Sequence, residues 1–204
     1  MLGMVRHWWG LLRRPSTRWS VLTLLVVGIV LGSVGVVGFN LSLHATNTEA
    51  FCTSCHEMYA QPFQTVQQTT HYNNASGVRP TCSDCHVPHE FVPKMIRKIE
   101  AAREVWGSIT GMIDTPEKYM AHLEQMKARE IARMRSNDSA GCRSCHDVAR
   151  MDFSAQGEKA RFYHSAMAEQ GKTCIDCHQG IAHQYPGTVP ASGQEPLAEV
   201  AAEH

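Results

Sequence analysis

The chain has 204 residues, and 19 lysines and arginines balance 19 aspartates and glutamates. That length allows one or two domains, and the lack of a basic cluster argues against nucleic acid as a partner. The balance is uneven, because residues 1–48 hold Arg6, Arg13, Arg14 and Arg18 and no acid, which leaves a mildly acidic body.

The first element in chain order is Val21 to Phe39, a run of 19 residues without a charge. A helix of that length crosses a hydrocarbon core of about 30 Å. Four arginines precede it and none follows until Arg79. The excess of positive charge predicts residues 1–20 in the cytoplasm and the chain from residue 40 onward on the far side. A cleaved signal peptide has a shorter apolar region and a small-x-small cleavage site. This run is longer and no A-x-A follows it, so an uncleaved single-pass anchor is expected. Gly28, Gly32, Gly35 and Gly38 within it could let a second helix approach closely, which leaves a homodimer open.

Beyond the anchor come four copies of one motif: CTSCH at 52–56, CSDCH at 82–86, CRSCH at 142–146 and CIDCH at 174–178. They consume all eight cysteines: Cys52, Cys55, Cys82, Cys85, Cys142, Cys145, Cys174 and Cys177. C-x-x-C-H is the pattern of c-type haem attachment, whereas a zinc ribbon pairs two C-x-x-C units about 15–20 residues apart. Here the units are further apart, and a histidine follows every second cysteine. A Cys₄ zinc site has no use for that histidine. A haem does, because two thioethers fix the porphyrin edge and the next residue turns its imidazole under the iron. The expected cofactors are therefore four covalently bound c-type haems.

Between the second and third motifs, two helices are readable. Lys94 to Trp106 follows Pro93 and aligns Met95, Ile99, Ala102 and Trp106 on one stripe, which predicts packing on haem or protein. The second starts at Thr115-Pro116-Glu117, a cap followed by proline at the first helical position. It is expected to run to about Arg135 with Tyr119, Leu123, Met126 and Met134 inward. Pro186 to His204, rich in Ala, Pro, Gly and Glu, reads as a disordered tail. The body holds few Leu, Ile and Phe for an ordinary core. The fold expected is mainly α with much irregular structure and no sheet, wrapped around stacked haems.

The motif spacing suggests two di-haem half-repeats. Cys52 to Cys82 is 30 residues, Cys142 to Cys174 is 32, and the middle step is 60. The second member of each half reads T-C-x-D-C-H, from Thr81 and from Thr173. His71 and His164 precede those members, and His89 and His183 trail them. These four histidines are candidate distal ligands, while His122 reads as a surface residue. At the first motif Met58 stands two residues beyond His56, and methionine is also an axial haem ligand. Strict duplication favours His56 with His89, mirroring His146 with His183, and the choice stays open on spacing alone.

The N-terminal anchor, CTSCHEM, CSDCHVPHEFVPKMIRK, the insert IDTPEKY…AREIARM…NDS, CRSCH and TCIDCHQGIAH together resemble the NapC/NirT family of membrane-anchored tetrahaem cytochrome c quinol dehydrogenases. The resemblance covers roughly residues 15–185. It implies a bacterial inner-membrane protein with residues 40–185 in the periplasm. Its substrate would be menaquinol or ubiquinol from the membrane pool. Its electron acceptor would be a periplasmic reductase, for nitrate or nitrite, or a soluble cytochrome. It also implies Met58 rather than His56 on the first haem, with the other face open for quinol. The remaining pairs then expected are His86 with His164, His146 with His183, and His178 with His71. Some relatives take the second haem's distal ligand from a partner protein. Quinol oxidation releases two electrons and two protons, so the site needs a proton acceptor whose pKa suits the working pH. Lys94 is the expected quinol hydrogen-bond partner, with Glu100 or Glu104 as acceptor.

Overall fold

The computed structural model describes residues 3–7, 17–167 and 169–185. The tail expected at 186–204 and parts of the segment 1–20 lie outside the described residues. The chain divides into two units, residues 1–45 and 46–204.

The first unit contains one long helix, α1, Val21–Ala45, which has no buried residue. It continues past Phe39 because the polar residues that follow satisfy themselves within it. Asn40 donates its side-chain amide to the Val36 carbonyl at 2.8 Å, and the Ser42 hydroxyl donates to the Phe39 carbonyl at 2.7 Å. Its 25 residues have a mean hydropathy of 2.6 in the most apolar stretch. By length and composition it can cross a bilayer.

The second unit is helical turns and irregular chain, with no strand among its described residues. Three helices exceed two turns: α2, Phe91–Ile109, α3, Pro116–Ser136, and α4, Glu158–Ala166. In α3, Thr115 caps the first turn by accepting from the Lys118 amide at 3.3 Å. Pro116 takes the first helical position, where its missing N–H is not needed. Among the described residues the buried apolar side chains are Ile113, Tyr119 and Leu123, with Met126 and Tyr185 packed against them. Tyr119 and Leu123 therefore turn inward as their spacing predicts. A core of three side chains is far too small for a body of this length.

Helix α2 departs from the expectation in two ways. It begins at Phe91, so Pro93 lies inside its first turn, where the backbone N–H has no intrahelical partner in any case. Of the apolar stripe, the protein itself half-buries Met95 alone. Ile99 is 73% exposed and Trp106 is 64% exposed. The polar side turns inward instead, where Arg97 meets Glu104 at 3.4 Å and Lys98 donates to the Thr46 hydroxyl at 2.7 Å.

Candidate haem-ligand site

The repeated T-C-x-D-C-H has a physical cause. Cys82–His86 and Cys174–Cys177 are single helical turns, and each is closed by a capping box. Asp84 accepts from the Thr81 amide at 2.6 Å and the Thr81 hydroxyl at 2.7 Å. Asp176 does the same for Thr173 at 2.8 and 3.0 Å. The threonine and the aspartate thus satisfy donors that such a turn leaves orphaned, and they fix the cysteines on one side of the turn. Arg135 of α3 also donates to Asp176 at 2.5 Å.

The motifs meet in chain order. Thiols of successive motifs are near enough to shift acidity from one to the next: Cys52 with Cys82, Cys142 with Cys174, and Cys145 on Cys85. Arg79 ties the first turn to the second, pairing with Glu49 at 2.6 Å and lying 4.5 Å over the Tyr72 ring. Between the second and third motifs the backbones touch. A Cβ on Gly141 would stand 2.7 Å from the Cys85 carbonyl oxygen and 3.1 Å from that of Asp84. Between the third and fourth, the buried Ser139 hydroxyl accepts from the Ile175 amide at 3.2 Å.

Six histidines form three facing pairs. The rings of His86 and His183 are 6.0 Å apart, those of His164 and His178 6.0 Å, and those of His71 and His146 6.3 Å. The half-repeat spacing expects other partners. His86 faces His183 rather than His164, His146 faces His71 rather than His183, and His178 faces His164 rather than His71. The reason is local anchoring. His183 is drawn to the second motif by the segment after the first, where its Nδ1 meets the Pro62 carbonyl and the Thr65 hydroxyl at 3.1 Å each. His164 stays beside the fourth motif, its Nδ1–H donating to the Gln156 side-chain oxygen at 2.8 Å.

The second nitrogen of each ring carries the next layer of chemistry. His86 donates its Nδ1–H to Glu130 Oε1 of α3 at 2.6 Å, and Glu130 is clamped by Arg133, whose Nε donates to Oε2 at 3.0 Å. Burial alone would raise the Glu130 carboxyl, but the hydrogen bonds from His86 and Arg133 outweigh it and hold the group well below the usual carboxylate range. Burial pushes the His183 imidazole down to about 4, with the nearby His86 adding to the effect. His178 is lowered by burial and by His164 and His146. The Nδ1 of His71 is buried without a partner.

At the first motif no such pair forms among the described residues. The His56 side chain is 73% exposed and its Nε2 lies 3.4 Å from Glu57, whose carboxylate is buried. His89 is exposed, and so is Met58. Among the described residues no three His, Cys, Asp or Glu side chains converge as a metal-ion site of their own.

Comparison with known proteins decides the class. The NapC/NirT cytochrome c family, N-terminal region, matches residues 14–188. The chain belongs to the NapC/NirT cytochrome c family. It is 50% identical over 184 residues to the cytochrome c-type protein NapC of Escherichia coli K12, covering 90% of this chain and 92% of that one. It is 52% identical over 176 residues to the denitrification system component NirT of Stutzerimonas stutzeri, covering 86% and 88%. Against TorC of Escherichia coli K12 it is 45% identical over 184 residues, which is 89% of this chain but 47% of TorC. No solved structure matches.

Membership in the NapC/NirT family brings covalently bound c-type haem, and the residues present fit that group. Two imidazoles on opposite faces of one metal put their ring centres roughly 6 Å apart, since each metal–nitrogen bond is about 2 Å. All three pairs have that separation. A ring that donates from Nδ1 keeps its Nε2 lone pair for a metal, and the lowered values of His178 and His183 favour the neutral, ligating form. Beside the third motif an open cleft of about 570 Å³ is lined by Cys145 and His146, with Arg143 paired to Asp138 and Arg150 to Asp147 at its edge.

The proposed quinol residues fall on α2. Lys94 is half-buried and close enough to Lys98 to affect it, Glu100 is exposed, and Glu104 is paired with Arg97. Burial lowers the Lys98 amine, and that amine feels the Cys52 thiol of the first motif. Sequence reasoning passed over Lys98 and Glu130. The contacts that set them apart, Lys98 to Thr46 and Glu130 to His86, join segments far apart in the chain.

Proposed function

We propose that this protein is a membrane-anchored tetrahaem cytochrome that oxidises quinol at the inner membrane and passes the electrons to a periplasmic reductase. The reading rests on the NapC, NirT and TorC relatives, and the description of NirT as a denitrification system component makes nitrate or nitrite reduction the favoured pathway end. The observation that carries it is the ordered contact of four C-x-x-C-H motifs, three of them with a second imidazole facing the motif histidine.

When bound, c-type haem accepts and donates one electron per iron, so two electrons from one quinol need at least two haems. In this reading Cys82, Cys85 and His86 with His183 hold the second haem. Cys142, Cys145 and His146 with His71 hold the third, and Cys174, Cys177 and His178 with His164 the fourth. Cys52 and Cys55 hold the first, and Met58 is its ligand. The exposure of His56 and its attraction to Glu57 support methionine there. Lys94 and Lys98 supply cationic donors to a quinol oxygen near the first motif. Glu100 or Glu104 takes the proton, and the Arg97–Glu104 pair positions the second of these. The N-terminus lies in the cytoplasm and residues from about 46 onward in the periplasm, by the arginine excess before α1.

Rapid mixing of the oxidised protein in detergent with a menaquinol or ubiquinol analogue tests this. The expected result is fast reduction seen in the haem absorbance, slowed when Met58 or Lys94 is changed. Reduction by dithionite but by neither quinol would make the protein a relay that depends on another subunit for its electrons.

A further inference from the structure

Helix α2 is amphipathic in the reverse of the usual sense. At 3.6 residues per turn, Val92, Ile96, Ile99, Trp106 and Ile109 fall on one half of the helix. All five are more than half exposed, Ile109 by 73%. The opposite half carries Lys94, Arg97, Lys98 and Glu104, and it is this half that is partly buried against the body. A surface helix ordinarily turns its apolar side to the core. An exposed apolar face of this size marks a contact with something else.

Lys98 fixes where that face is. Its amine holds the Thr46 hydroxyl at 2.7 Å, and Thr46 is bonded directly to Ala45, the last residue of α1. The Lys98–Thr46 contact therefore holds the middle of α2 to the first residue of the second unit. Lys98 also marks the side of α2 that looks toward Thr46, six residues before Cys52 of the first motif. Val92 and Ile96 stand more than about 100° round the helix from Lys98, away from that motif. Arg103 is the one charge within the apolar half, and its long stem lets the head reach a phosphate level.

We propose that α2 is a second membrane contact of this protein: its Val92, Ile96, Ile99, Trp106 and Ile109 face lies on the lipid surface from which α1 emerges. Helices with an apolar side and a cationic side lie in bilayer interfaces in this manner, and the Trp106 indole suits that depth. The contact would keep the Lys94 and Lys98 side of the first motif at the level of the lipid headgroups.

The inference rests on α1 spanning the bilayer, and photo-crosslinking of the full, haem-loaded chain in phosphatidylethanolamine–phosphatidylglycerol nanodiscs tests both separately. p-Benzoylphenylalanine is placed singly at Ile99, Trp106, Ile29 of α1 and Glu124, a solvent position of α3 with a 78% exposed side chain. The expected result is a mass increase of one phospholipid at Ile99, Trp106 and Ile29, and none at Glu124. Lipid at Ile29 but not at Ile99 or Trp106 overturns the proposal and leaves the anchor intact. Adducts from Ile99 or Trp106 to haem or to a second copy of the chain overturn it too. No lipid at Ile29 overturns the anchor and this proposal together.

Discussion

His86 of the second motif donates its Nδ1–H to Glu130 of α3 across 2.6 Å, and Arg133 holds that carboxylate from the other side. An ionised acceptor makes the imidazole more electron-rich at Nε2. A haem bound there is stabilised in its oxidised form, so the second haem should sit at a lower potential than Nδ1 contacts to neutral groups would give.

Replacing Glu130 with glutamine keeps the shape and removes the charge. Hydrogen bonds to charged groups exceed neutral ones by about 1 kcal/mol, which for one electron is about 40 mV. E130Q should raise one of four midpoint potentials by that order in a spectroelectrochemical titration. The effect should hold across neutral and mildly acidic pH. A depressed carboxyl contributes its charge above its ordinary value of 4.5, and it loses it only as pH falls through the lowered folded value. Four unchanged potentials would remove Glu130 from any role at the haem.

Histidine pairing has its own test. On the proposed pairing H183A removes a distal ligand, and it should convert one haem to a high-spin species visible by electron paramagnetic resonance. The facing rings require that it be the haem that Glu130 tunes. The combined E130Q/H183A variant should therefore show a potential shift that is not the sum of the two single shifts. Additive shifts would assign His183 to another haem, as the half-repeat spacing expects.

The cysteine motifs, the apolar anchor and the start of α3 were legible because each is a local pattern. Thr115-Pro116 and T-C-x-D-C-H carry their own caps, and a cap is made by residues a few positions apart. Which histidine faces which was not legible. His183 reaches His86 because Pro62 and Thr65 hold its Nδ1, and no spacing rule connects three segments so far apart in the chain. The stripe on α2 was read correctly as apolar, but its neighbour was not legible: the protein itself leaves Ile99 and Trp106 exposed. Periodicity gives a helix its two faces, and the burial of Arg97 and Lys98 decides which of them turns inward.

Gly141 is a packing requirement that sequence hides. A Cβ there would stand 2.7 Å from the Cys85 carbonyl oxygen, and the obstacle is backbone, which no side-chain rotation relieves. G141A should push the second and third motifs apart. Overpacking of this kind costs about 1–3 kcal/mol, so the thermal midpoint should fall by several degrees while the haem-to-protein ratio stays at its unmutated value. An unshifted midpoint would show that the two motifs separate freely.

Capping of the second motif should be measurable in the same way. Thr81 both donates to and is closed by Asp84, and losing an N-cap side chain costs about 1 kcal/mol. T81A should lower the denaturant midpoint by that order and leave the haem absorbance intact. A loss of one haem instead would mean that the cap is needed for attachment rather than for stability.

Lys98 and Lys94 compete for the same role, and the geometry separates them. The Lys98 amine is lowered by burial, feels Cys52 and is held on Thr46, whereas Lys94 lies one turn away. A quinol oxygen that accepts from Lys98 would lose a charge-assisted hydrogen bond worth about 1.5–3 kcal/mol when the amine is removed, a factor of ten or more in rate. K98M should therefore slow quinol oxidation at least as much as K94M, with reduction by dithionite unchanged in both. If K98M oxidises quinol at the unmutated rate, the Lys98–Thr46 contact is structural only, and Lys94 alone remains as the cationic donor.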